Sequence, residues 1–270
     1  MKNLADVAVS FHTLGEAEPH ARAEAAGAAG FRRLALSPRR LRPWLVDHPV
    51  QELHDLLSAN GLVVSELEAL KVLGAEPDEN TDFALSIARE LGATLIQVVG
   101  PYDGSLDDAA SRLQALADRP DAAGITLSLE FLPFTNVTTP AIAVDLMRLV
   151  DRPNVGLCLD FWHLYRCGGS PADLEDLWPY LAAVQMDDGP LVPEHPDLFT
   201  DCTHNRRLPG AGEFDVVGLL AEAERRHPDF ALSVEVISDD LKALPLAEAA
   251  QLNADAVAAT LAQVSEVLGG

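Results

Sequence analysis

Short β-branched or apolar runs alternate along this chain with longer amphipathic, alanine-rich stretches. The runs predict strands at 6–11, 31–36, 61–66, 94–99, 125–131, 155–160, 182–187 and 230–236. Between them, apolar residues recur at helical spacing near 15–28, 47–59, 79–91, 105–121, 139–151, 170–179, 214–227 and 244–266. Thr139-Pro140 and Ser170-Pro171 mark helix entries, and Gly92 and Gly124 follow helix ends. Eight such units in 270 residues predict one (β/α)8 barrel occupying 1–270. A doubly wound sheet is the rival, but no strand runs into a phosphate-binding glycine fingerprint. GAAG at 27–30 precedes a strand instead of opening a helix. One long irregular stretch, 188–213, follows the seventh strand, and a loop of that length in a compact domain usually serves a site.

Within the strands, residues two apart share a face. Leu127, Leu129 and Phe131 oppose Thr126, Ser128 and Glu130; Val155, Leu157 and Leu159 oppose Gly156, Cys158 and Asp160. Val184 and Met186 oppose Ala183, Gln185 and Asp187, and Val234 and Val236 oppose Ser233 and Glu235. The bulky set packs outward on helices, the small set points inward, and a polar residue closes the inward set where barrel active sites lie. Glu130, Asp160, Gln185 and Glu235 are therefore expected to converge on the mouth. Three carboxylates aimed at one spot need a counter-charge. Mutual hydrogen bonds could merely plug the barrel, but four equivalent positions favour a divalent cation. An all-oxygen set favours Mn²⁺, with Mg²⁺ or Co²⁺ as alternatives.

Charge narrows the partners. Forty-two acidic residues against 19 basic give a formal net of −23, a field that repels phosphate backbones and anionic lipid. No apolar run approaches a membrane span, so neither nucleic acid nor membrane is expected. Cys158, Cys167 and Cys202 form no pairing framework, and MKNLADVAVSF lacks an apolar signal core; both point to a cytoplasmic protein.

LSLEFLP at 127–133, CLDFWH at 158–163, VQMDD at 184–188, RRLPGAGEFD at 206–215 and SVEV at 233–236 resemble the xylose isomerase-like TIM-barrel superfamily. Sugar epimerases, hydroxypyruvate isomerase, inosose dehydratase and 3-dehydroshikimate dehydratase belong to it. The resemblance implies that Glu130, Asp160, Gln185 and Glu235 hold the metal and that His163 and Arg206 contact substrate. It also implies a possible homo-oligomer. Epimerase members carry histidine where Gln185 stands; glutamine is the pattern of hydroxypyruvate isomerase and some dehydratases. The histidine-rich zinc cluster and basic face of the apurinic endonuclease type are missing.

Such a site implies a small polyhydroxy carbonyl substrate. A metal chelating a carbonyl and its neighbouring hydroxyl acidifies the C–H between them by stabilising an enediolate. Glu130 and Glu235 would act as base and acid on its two faces, and His163 would polarise the carbonyl or protonate a leaving hydroxyl. Returning the proton elsewhere makes an isomerase or epimerase, the leading expectation. Expelling a hydroxyl makes a dehydratase acting on a cyclic keto-polyol of the inosose or 3-dehydroshikimate type. A non-catalytic accessory barrel that needs a partner chain is the third. His12 at the end of the first strand, Glu66 (or Glu68 on the same face) at the end of the third, and Trp162 and Phe134 as apolar walls complete the expected substrate contacts. Asp187 is expected to support the metal ligands from behind, while Asp188-Gly189-Pro190 reads as a turn opening the long loop. His195 and His204 have no assigned partner.

Overall fold

The computed structural model describes residues 1–76 and 78–269. Its eight strands are β1 (Val7–Val9), β2 (Arg33–Leu36), β3 (Val63–Leu70), β4 (Leu95–Val99), β5 (Thr126–Glu130), β6 (Val155–Asp160), β7 (Leu181–Met186) and β8 (Ala231–Val234). Each pairs in parallel with the next, and β8 pairs with β1, so the sheet closes into a (β/α)8 barrel in chain order. Among the described residues no helix is long and apolar enough to cross a membrane.

The alternation read from the strands divides the interior as expected. Leu127, Leu129, Leu157, Leu159, Val184, Met186 and Val234 join one continuous apolar belt with the surrounding helices. Inside the barrel, Leu95, Cys158 and Ala183 form a separate small cluster with Ala231. The helices follow their local signals. Ser105 and Asp108 form a reciprocal cap at the start of Leu106–Ala117, and Thr139 accepts from the Ile142 N–H at the start of Pro140–Val150. Gly92, at φ 73°, ends Thr81–Leu91 in the left-handed conformation open to glycine.

Several boundaries differ from the pattern. β3 runs on to Leu70, four residues past the expected end, so Glu66 and Glu68 both lie within it. A helix at Pro38–Asp47 lies outside the pattern because Pro43 interrupts its periodicity and three arginines dilute its apolar face. The expected helix at 170–179 is two short 3-10 turns, Pro171–Leu174 and Trp178–Tyr180. A six-residue helix, Phe161–Arg166, starts directly after β6, and Leu198–His204 is a helix within the long stretch after β7.

Two buried aspartates organise that stretch. Asp188 accepts from the N–H groups of Gly189 (2.7 Å), Gly210 (3.0 Å) and Phe214 (3.0 Å), so it fastens both ends of the loop instead of only opening a turn. Backbone bonds exchanged between Asp188 and Arg207 add an antiparallel bridge. Asp201 accepts from Arg166 Nε and from the N–H groups of Glu194 and His195, each at 3.0 Å. Gly212 lets the loop close: a Cβ there would lie 2.6 Å from the backbone nitrogen and oxygen of Gly189. Replacing Gly212 with alanine is expected to cost about 1–3 kcal/mol, read as a lowered Tm and faster proteolysis within 188–213. An unchanged Tm and cleavage pattern would show that the loop is not held at this contact.

Candidate functional site

A cavity of about 1580 Å³ opens at the C-terminal end of the barrel, and Glu68, Gln97, Glu130, His163, Arg206 and Glu235 are among its walls. Parallel strands in register deliver these side chains. Asp160 pairs with Gln185, Gln185 with Ser233, and Glu130 with Cys158. Gln185 thus stands opposite Ser233, one inward position below Glu235. Asp187, the next residue on Gln185's face, reaches the upper level.

Asp160 ends β6 and caps the helix that follows. Its Oδ1 accepts from the His163 N–H at 2.8 Å, and its Oδ2 accepts from Arg206 Nη1 at 2.7 Å. The same Nη1 also donates to Asp187 and, at 3.2 Å, to Glu235 Oε2. Arg206 is thereby a buried counter-ion of three carboxylates, set into the cavity wall. The Oε1 of Gln185 accepts from Gln97 Nε2 at 2.9 Å, and Gln97 also donates to Glu130 Oε2 at 3.1 Å. The amide of Gln97 so ties two of the four expected ligands together.

One oxygen is left out. Glu130 Oε1 is buried without a hydrogen bond, yet it lies 3.1 Å from His163 Nε2. Arg206 Nη2, a donor, lies 3.3 Å from the same Nε2, and His163 Nδ1 is buried with no partner of its own; in the tautomer with the ring proton on Nδ1, Nε2 accepts from Arg206 and Glu130 Oε1 is unpaired. Two lone pairs then face each other, and a proton or a cation must sit between them. Glu130, Asp160 and His163 each offer a ligand atom, all within 4.8 Å of one another. A cation with bonds of about 2.0–2.3 Å fits that separation. The orphaned oxygen and the donor set therefore fit a divalent ion; Gln97 links Gln185 to Glu130, while Glu235 groups with His12 and Glu68.

His12 faces the cavity from just beyond β1, beside Glu68 and Glu235. Two expected substrate contacts are corrected. Glu66 lies deeper on β3 and is absent from the cavity wall, where Glu68 stands instead, because the strand continues past it. Trp162 is fully buried and does not reach the cavity. Its backbone N–H donates to Asp187 Oδ1 at 2.9 Å as the helix starts, and its ring packs 5.4 Å from the Arg206 guanidinium. Phe134 does line the cavity, edge-to-face with His163 and with Phe199, which the strand pattern did not single out. His195 and His204 bond only within the long loop. Ser10 shares the inward face of the first strand with Ala8 and His12 but carried no expected role, and Gln97, inward with Leu95, was not singled out.

The electrostatics follow from burial. Desolvation raises Glu130 well above the carboxylate range, and the charges of Asp160 and Glu235 add to it. Burial and the charges of Glu235 and Glu66 do the same to Glu68, and burial with Asp160 does so to Asp187. Burial also opposes the charge on Asp160, but Arg206 and His163 outweigh it and hold that group low. His163 is pushed down to about 4, chiefly by burial, so its ring is neutral at pH 7.

A family model described as xylose isomerase-like TIM barrel matches residues 21–260. The 3-dehydroshikimate dehydratase of Pseudomonas aeruginosa is 32% identical over 173 residues, 62% of this chain and 27% of that protein. The chain therefore spans about a quarter of that relative's length. The inosose isomerase of Halalkalibacterium halodurans is 25% identical over 228 residues, covering 78% of this chain and 79% of that one. A crystal structure of the IOLI protein with a binding zinc atom superposes with a TM-score of 0.80 at 21% identity, over 96% of this chain and 98% of that one.

Stability should record the buried acids. Burial, with the charge of Glu235, pushes Glu66 up to about 7 from 4.5. The native state then holds a proton that the unfolded chain has lost, so stability falls as pH rises from 4.5 through 7. Glu66 alone accounts for a loss on the order of 3 kcal/mol. Chelator-treated protein should show a Tm that declines across this window, and the decline should shrink in Glu66→Gln. A Tm that rises or stays level between pH 5 and 7 would contradict this account.

Proposed function

Because the chain belongs to the xylose isomerase-like TIM barrel family, we propose that it is a divalent-metal-dependent enzyme that moves a proton beside a carbonyl of a small polyhydroxy substrate. The observation that carries this reading is the unpaired Glu130 oxygen facing His163 Nε2 at 3.1 Å, next to Asp160, in the wall of an open cavity. Glu130, Asp160 and Glu235 would hold the ion with Gln185, and His163 stands within reach as a further ligand. Bound there, a divalent cation supplies Lewis acidity toward the substrate carbonyl oxygen. Mn²⁺ is the ion we favour, since the set is mainly oxygen with one imidazole adjoining.

Glu130, on β5, and Glu235, just past β8, reach the cavity from separated strands. One can take a proton from a substrate carbon while the other, protonated beforehand, gives its own proton to the planar enediolate at a different position or face, and proton exchange with solvent resets both. Raising a carboxylate's proton affinity by burial brings it closer to the task of accepting a proton from carbon. Arg206 keeps Asp160 ionised and fixes Glu235 in place. His163, neutral and adjoining Glu130, can orient a substrate hydroxyl. Phe134 and Phe199 supply an apolar wall on the same side. Isomerisation or epimerisation is the reaction we assign first.

Dehydration of a cyclic keto-polyol is the second reading. Gln185 favours it, as does the identity to a 3-dehydroshikimate dehydratase over 62% of the chain. Both reactions begin with the same proton removal.

Metal-loaded protein incubated in heavy water with ketoses, inososes and 3-dehydroshikimate separates them by mass spectrometry. Deuterium on a carbon without loss of water is the expected result; loss of water selects the dehydratase. Metal retention without exchange or dehydration of any member would indicate an accessory barrel instead. Glu130→Gln and Glu235→Gln should each lower turnover by at least ~100-fold with the fold intact. Retained turnover in either variant removes that residue from proton transfer.

A further inference from the structure

We propose that the mouth of the barrel holds a second divalent-cation site, built by His12, Glu68 and Glu235 on the side formed by β8, β1 and β3. The proposed first site gathers Glu130, Asp160 and Gln185 from β5, β6 and β7, across the barrel. Glu235 would serve both. Its two oxygens already point to different neighbours: Oε2 lies 3.2 Å from Arg206 Nη1, and Oε1 lies 2.9 Å from Ser10 Oγ.

Three observations support this assignment. His12, Glu68 and Glu235 each offer a ligand atom, all within 4.8 Å of one another, the separation a single coordinated ion requires. Glu68 is buried at 2% exposure, and its Oε1 has no hydrogen-bond partner. Ser10 Oγ lies 2.9 Å from both Glu68 Oε2 and Glu235 Oε1. One hydroxyl proton can satisfy only one of those two oxygens, so a further proton or a cation is needed between the two carboxylates.

The neighbouring cations do not supply it. Arg206 is committed to Asp160, Asp187 and the far oxygen of Glu235. The Nη atoms of Arg22 donate to the carbonyls of Phe11 (2.6 Å) and Gly15 (2.5 Å). Phe11 N–H, at 3.2 Å, is the other donor to Glu68 Oε2. Water can complete the coordination, because all three residues border the open cavity. One imidazole nitrogen with two carboxylates suits Mn²⁺ or Zn²⁺ better than Mg²⁺ or Ca²⁺. This inference shares Glu235 with the proposed enzyme site but does not depend on which reaction occurs there.

The test is the stoichiometry of Mn²⁺ binding to chelator-stripped full chain, read by calorimetry and by the electron paramagnetic resonance signal of free Mn²⁺. Two equivalents per chain are expected in the wild type. His12→Ala and Glu68→Gln should each leave one; the first truncates an exposed ring and the second is isosteric, so both keep the fold, checked by near-ultraviolet circular dichroism. Asp160→Asn should remove the other equivalent and leave the one that His12→Ala abolishes. A single equivalent in the wild type, lost in Asp160→Asn and untouched by His12→Ala, overturns the second site alone. Two equivalents that persist in both His12→Ala and Glu68→Gln overturn it equally. No binding at all would defeat both the first site and the second.

Discussion

Six buried carboxylates share the inner face of this barrel, on Glu66, Glu68, Glu130, Asp160, Asp187 and Glu235, and the rest of the molecule is arranged around that charge. Each has lost water that would stabilise its ionised form, and Arg206 touches three of them. Proteins resolve such an excess by protonation, by ion pairing or by binding a cation. The first two appear here at different depths, and the proposed cation sites would supply the third. Glu66, the deepest, gains protons through burial; Asp160 stays ionised against Arg206; Glu130 and Glu68 at the cavity wall each keep an oxygen with no partner. A fold that needed only stability would have placed apolar residues at these positions.

The arginine arrives from outside the barrel. Arg206 follows the helix Leu198–His204 in the long loop, and Asp188 and Asp201 bind that loop's backbone from below. Neither aspartate faces the cavity, but both decide where the guanidinium lies. Residues that shape the site are therefore spread well beyond its walls.

Much of this was legible before the structure. Period-two alternation in β5 to β8 placed Glu130, Asp160, Gln185 and Glu235 on the inner face, because a strand has only two faces and the outer one must be apolar to pack on helices. The same logic stopped short where strand ends were soft. β3 continues past Glu66, so the cavity contact passes to Glu68, whereas two residues of register are invisible to a pattern count. Trp162 looked like a wall because it follows Asp160, but a helix that starts at once turns the ring inward onto Arg206. The loop's internal order was illegible for a different reason. Its bonds run from carboxylates to backbone N–H groups 22 and 26 residues away, from Asp188 to Gly210 and Phe214, and backbone donors leave no trace in side-chain identity.

The seat of Arg206 gives the loop an electrostatic latch. Swinging the loop outward would withdraw a positive charge from Asp160, Asp187 and Glu235 together, stranding three anions where water is scarce. One side chain therefore fixes both the position of the loop and the charge balance of the chamber it lines.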